Sequence, residues 1–127
     1  MSHFSTLQTK IVVKEYLKKA LDDLNYEWEE GNIEVRGYRG NRIPAEIRIS
    51  TGNPVYDIGF RKQDENYEIV ADWWGIKNIQ QEEFVNNLNR RYAYNAVKDQ
   101  LEQQDFTFVE EEVRADKSIR ISVRRMT

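Results

Sequence analysis

A chain of 127 residues with a net charge of −3 suits one packed domain over 1–127, and its frequent aromatics separate it from a disordered chain of similar charge content. It has no cysteine, which excludes disulfides, thiolate nucleophiles, iron–sulfur ligation and cysteine-based zinc sites. No apolar run reaches membrane-spanning length and the first residues lack the regions of a secretory signal, so a soluble cytoplasmic protein with no membrane partner is expected.

His3 to Lys10 alternates weakly and reads as a first strand. Ile11 to Asn25 reads as a helix: Val13, Tyr16, Leu17, Ala20, Leu21 and Leu24 recur at three- and four-residue spacing, with lysines and aspartates opposite. Tyr26-Glu27-Trp28-Glu29 switches to period two, Gly31-Asn32 reads as a turn, and Ile33 to Gly37 as its returning strand. Gly37-Tyr38-Arg39-Gly40-Asn41 is a loop.

Ala45, Ile47 and Ile49 then alternate with Glu46 and Arg48, up to a turn at Thr51-Gly52-Asn53-Pro54. Tyr56, Ile58 and Phe60 alternate with Asp57, Gly59 and Arg61, and Asp64-Glu65-Asn66 turns the chain. Tyr67, Ile69, Ala71 and Trp73 alternate with Glu68, Val70, Asp72 and Trp74, up to Gly75. Gln80 to Gln104 reads as a second helix, with Phe84, Val85, Leu88, Tyr92, Ala96, Val97 and Leu101 on its stripe. Phe106 to Val113 and Ser118 to Arg125 read as a hairpin through Ala115-Asp116-Lys117.

Two stretches match. Leu17, Leu21, Tyr26 and Trp28 have the spacing of Val97, Leu101, Phe106 and Phe108. This predicts an α+β fold from a duplicated strand–helix–strand–strand unit, with two helices on one face of an antiparallel sheet of about seven to nine strands. The TATA-binding-like and helix-grip-like architectures are the nearest. Leu21 and Leu101 are both expected in the core.

Alternation places Glu46, Arg48, Asp57, Arg61, Glu68, Asp72, Arg120 and Arg124 on the face away from the helices. Such a face is solvated by opposite-charge pairs unless an anchor makes it a partner surface. Alternation makes Trp74 that anchor, beside Asp72, while Trp73 points to the core; the other reading ends the strand at Trp73 and packs Trp74 under the following loop. Trp74, Asp72, Arg48, Asp57 and Arg61 are the partner-binding candidates. Arg36, Tyr38, Arg39 and Arg42 around the glycine loop combine charge with an aromatic and are the nucleic-acid candidates. The net acidity ranks that reading lower and predicts weak, salt-sensitive binding.

No catalytic, cofactor-binding or metal-ligating set is apparent. His3 is the only histidine, so no Ser-His pairing can be assembled elsewhere, and its ordinary reading is a local hydrogen-bonding residue. Glu110-Glu111-Glu112 in a strand point to alternating faces and cannot converge on one ion.

The chain also resembles a known family through Met1-Ser2-His3-Phe4, Leu17-Lys18-Lys19-Ala20-Leu21, Arg36-Gly37-Tyr38-Arg39-Gly40 and Asp57-Ile58-Gly59-Phe60. The resemblance continues through Tyr67-Glu68-Ile69-Val70-Ala71-Asp72, Arg91-Tyr92-Ala93-Tyr94 and Ser118-Ile119-Arg120. On these residues it is identified as a member of the hypothetical chloroplast reading frame thirty-five family of cyanobacteria and algal plastids. It departs from the family pattern at Trp73-Trp74-Gly75, which replaces a longer stretch with leucine and tryptophan, and at Arg125-Met126-Thr127, where an aromatic is usual. If those positions touch a partner, this member's partner surface differs.

The resemblance implies no established activity and no catalytic residues. It implies the cytosol or plastid stroma, and an association with AAA-type ATPase and small ferredoxin-like genes that suggests an assembly or regulatory role. The expectation is a non-enzymatic binding or adaptor protein whose partner is another protein. The alternatives are RNA or single-stranded DNA binding through the Arg36–Arg42 loop, and a small-ligand carrier or enzyme with a pocket between sheet and helices.

Overall fold

The elements in chain order are β1 (Ser5–Gln8), α1 (Lys14–Asp23), β2 (Trp28–Arg36), β3 (Arg42–Ser50), β4 (Asp57–Gln63) and β5 (Asn66–Ala71), then α2 (Gln81–Gln103), β6 (Phe106–Val113) and β7 (Ile119–Arg125). Short 3-10 turns occupy Tyr38–Gly40 and Trp73–Gly75. The computed structural model describes residues 3–104, 106–116 and 118–125, and the backbone alone at 107–110.

β1 to β5 form one antiparallel sheet in the order β1-β5-β4-β3-β2. Period-two residues line its inner face. Ile47 opposes Phe60, Ile49 opposes Ile58, and Phe60 opposes Ile69. Leu17, Ala20 and Leu21 of α1 and Phe84 and Leu88 of α2 join them in one buried cluster, so both helices cover the same face, as the apolar stripes predict. The start of α1 has no side-chain cap of its own. The Tyr92 hydroxyl of α2 accepts the amides of Val12 and Val13 instead, at 3.1 and 3.0 Å.

The expected single duplicated sheet does not form. Among the described residues the strands divide into five and two, with β6 and β7 paired only with each other. The two helices are also not equivalent. Leu17 and Leu21 are fully buried, whereas their matches Val97 and Leu101 are exposed and half-buried. The C-terminal half of α2 packs between α1, through Tyr92, Asn95 and Asp99, and the ribbon of β6 and β7. The side chain of Phe108, the match of Trp28, lies outside the described residues.

Gly31-Asn32 is not a hairpin turn. β2 continues through it, and the register with β3 shifts by one residue between Glu30 and Ile33. Gly31 adopts φ 139°, so a turn signal is used here as a β-bulge. A bulge bends its strand, and the consequence is large. β3 pairs with β4 only from Ile47 to Ser50. The remaining arm, Ile33–Arg36 paired with Arg42–Ala45, lies over the outer face of the sheet.

That arm corrects the expected solvated outer face. Val35 is buried against Gly59, where an added Cβ would stand 2.1 Å from its Cγ2. Beneath the arm Asp57 is 2% exposed, Glu68 3% and Asp72 0%. Asp57 and Asp72 are therefore interior groups, not members of a charged partner surface. Arg120 and Arg124 belong to β7 and lie outside this sheet altogether.

Candidate aromatic and cationic surface

Each buried carboxylate has a distinct partner. Asp57 accepts two hydrogen bonds from the Arg36 guanidinium at 2.8 and 3.0 Å and a third from the Arg36 amide at 2.9 Å. The hydrogen bonds to Asp57 raise the Arg36 pKa above its ordinary value. Glu68 pairs with Arg61 directly across the strands, as cross-strand pairing predicts. Arg48 pairs with the opposing Glu29 at 2.9 Å and Arg42 with Glu34 at 3.8 Å. Arg36, Arg42, Arg48 and Arg61 are thus each held by an acid of this chain.

Asp72 does different work. Its Oδ2 accepts the Tyr38 amide at 2.9 Å, while Oδ1 is buried with no partner. The Gly37 backbone lies directly on Asp72 and on the Phe4 ring, leaving no room for a Cβ. Asp72 therefore ties the Tyr38–Gly40 turn to the Trp73–Gly75 turn beside it.

The second turn is where the strand reading fails. β5 ends at Ala71, and Trp73–Gly75 coils as a 3-10 turn closed by the Gly75 amide on the Asp72 carbonyl. The turn still splits the tryptophans as alternation predicts. Trp73 is half-buried and packs 6.0 Å from Phe84 of α2. Trp74 is 58% exposed on the other side. Gly75 is required because the Tyr56 ring packs where a Cβ would be. Burial, with the nearby Asp72 and Tyr38, raises the Tyr56 pKa.

Around Trp74 three rings meet. His3 stacks on it with centroids 5.0 Å apart and planes 19° apart. Tyr38 stands edge-on to Trp74 at 5.2 Å and to His3 at 4.7 Å. Two cations sit over these rings: Arg39 at 5.2 Å from the Tyr38 centroid and Lys77 at 5.6 Å from that of Trp74. Lys77 also donates to the Trp74 carbonyl at 3.2 Å. Neither Arg39 nor Lys77 forms an ion pair with a carboxylate among the described residues. Arg39 holds φ 56°, an uncommon conformation for a side-chain-bearing residue.

The fold thus joins candidates from two separate readings: Trp74 from one, Tyr38 and Arg39 from the other. Arg48 and Arg61 fall outside the aromatic cluster. His3 and Lys77 were missed. His3 has no local signal, since it lies far along the chain from Trp74 and arrives through the pairing of β1 with β5. The arrangement can stack a planar group and neutralise an anion.

The space between sheet and helices is filled by the core cluster. A groove of about 400 Å³ between α1 and α2, lined by Glu15, Tyr16, Lys19, Asn95, Lys98 and Asp99, opens outward. Among the described residues, no group of three or more histidines, aspartates and glutamates could hold a metal ion. No described helix is long and apolar enough to cross a membrane.

The chain is 37% identical to the "Uncharacterized protein ycf35" of Cyanophora paradoxa over 127 residues, covering 98% of each chain. It is 34% identical to the protein of that name in Guillardia theta and 31% identical to that in Pyropia yezoensis, again over 98% of each chain. No solved structure matches it. The model of a family described as "Protein of unknown function (DUF1257)" matches residues 20–122, a span that contains Tyr38, Arg39, Trp74 and Lys77 but not His3. With relatives aligned over nearly their full length and the family model spanning most of the chain, this protein belongs to the DUF1257 family, the same one its sequence motifs resemble.

Proposed function

We propose that this protein is a non-enzymatic binding protein, an accessory or adaptor factor, that takes its partner on the surface formed by His3, Tyr38 and Trp74. It acts in the cytoplasm, or in the stroma in plastid relatives. One observation carries this reading: Trp74 stands 58% exposed within a pre-stacked ring cluster, flanked by two cations that no acid of the described chain neutralises. A tryptophan, a tyrosine and an arginine in one rigid patch form the composition that dominates binding energy at interfaces. The patch is also pre-organised, which lowers the entropy lost on binding. The test is to isolate the tagged wild type and Trp74→Ala from the source organism and compare the proteins and nucleic acids that co-purify. A partner lost only from the folded variant supports the reading. A partner retained by the folded variant rejects it.

A further inference from the structure

We infer that the ligand taken by this surface is a single-stranded nucleic acid, bound by stacking of its bases on the aromatic cluster and by neutralisation of its phosphates at Arg39 and Lys77. This rests on the binding role proposed above and names its ligand class.

Three observations converge. First, His3 stacks on Trp74 with Tyr38 edge-on to both, and His3 and Trp74 are exposed. Aromatic platforms of this kind accept successive bases with little sequence preference, because every base has a π face. Second, Arg39 and Lys77 are exposed and lack an acidic partner among the described residues, while Arg36, Arg42, Arg48 and Arg61 are each held by an acid of this chain. Among the described residues, the two cations beside the rings are therefore open to an anionic ligand. The same two cations oppose a cationic ligand, such as a methylated amine in an aromatic cage. Third, the Tyr38–Gly40 turn is held from below, by Asp72 on the Tyr38 amide and by close packing of Gly37 on Phe4. These contacts seat the turn beside Trp74, with Arg39 on its exposed side.

One acid lies at short range, Asp72, which is buried beneath the turn with its Oδ2 on the Tyr38 amide and so limits the affinity for phosphate without facing the ligand. The exposed acids of the ribbon lie elsewhere. Glu111 and Glu112 belong to the ribbon packed against α2, on the helix side of the sheet, whereas the turn bearing Tyr38 lies on the opposite face. Charges separated by more than about 8–10 Å are largely screened at physiological salt. With only two phosphates neutralised, binding is weak and strongly sequence-tolerant. A duplex is disfavoured because its bases are already stacked within it.

The test uses the full chain with labelled single-stranded oligo-uridine, oligo-deoxythymidine and a duplex, read by anisotropy and by tryptophan fluorescence quenching. Binding to either single strand, with a duplex weaker, is expected; the ratio of the two reports on the 2′-hydroxyl. Two phosphates at a slope of about −0.7 each predict an affinity loss of about sevenfold between ~50 and ~200 mM salt. Trp74→Ala should weaken binding about 5- to 150-fold, the range of one lost stacking contact, and Trp74→Phe should restore much of it. The double variant Arg39→Ala with Lys77→Ala should flatten the salt slope. Circular dichroism melts confirm that each variant is folded.

Absence of single-strand binding at low salt, or equal binding by wild type and both alanine variants, overturns the inference. An acidic, tryptophan-containing peptide serves as a parallel probe. If it binds through Trp74 while the oligonucleotides do not, the nucleic-acid assignment is wrong and the binding role stands. If the co-purified partner is indifferent to Trp74, the binding role itself fails.

Discussion

At the scale of single residues, neighbouring tryptophans have opposite fates. Trp74→Ala removes an exposed ring and should change stability by no more than about 1 kcal/mol, as most surface substitutions do. Trp73→Ala removes a half-buried ring packed on Phe84 and should cost about 2–3 kcal/mol, below the ~3–5 of a fully buried tryptophan. Urea melts of the two variants check this, and similar losses in both would mean that Trp74 is structural. The exposure of Trp74 was legible from alternation alone, even though its turn replaces the expected strand. Asp57 and Asp72 were misread for one reason. Alternation reports which side of a strand a residue faces, not what the rest of the chain lays over that side.

At the scale of elements, the β2–β3 arm and the β6–β7 ribbon carry the distinctive packing. The arm needs Gly59, because Val35 occupies the space of a side chain there. Gly59→Ala should cost about 1–3 kcal/mol through overpacking. Adding Val35→Ala should recover part of that loss, a coupling of about 0.5–3 kcal/mol in a double-mutant cycle. Strictly additive losses would show that the two positions do not compete for one space.

The ribbon is pinned by Glu111, which accepts from Arg91 at 2.9 Å and from the Tyr94 hydroxyl at 2.7 Å. The hydrogen bonds from Arg91 and Tyr94 hold the Glu111 pKa below its ordinary value of 4.5. A lowered folded-state pKa gives stability that is present above the unfolded value and lost as pH falls through the folded one. Acidification through and below ~pH 4.5 should therefore loosen the ribbon from α2. Glu111→Gln should remove most of that pH dependence, and exchange rates of the β6 and β7 amides against pH measure it. An unchanged acid profile in the variant would move the cause to another carboxylate.

At the scale of the whole molecule, the five-stranded sheet with its two helices encloses the main core, and the ribbon leans on the outer side of α2. A two-stranded ribbon is marginal alone and depends on what it packs against. Native-state hydrogen exchange should then show β6 and β7 opening at lower free energy than the central β4 and β5. Equal protection across both sheets would make the molecule one cooperative unit and contradict this division. The matched spacing of Leu21 and Leu101 suggested a repeat because both are local helical patterns. One helix has the sheet beneath it, while the end of the other has the ribbon.

By itself the sequence determined the features that rest on local periodicity and composition. The apolar stripes place α1 and α2 on one face, the alternating runs make β3, β4 and β5, and the lack of cysteine removes a whole class of chemistry. The tertiary structure alone decided that Gly31 is a bulge, that the bent arm buries Asp57 and Asp72, and that His3, Tyr38 and Trp74 meet. The reason is physical. Periodicity is set by the geometry of neighbouring residues. Distant segments meet only where strand register, a bend at a glycine and the absence of a Cβ on the opposing strand together let two backbones approach.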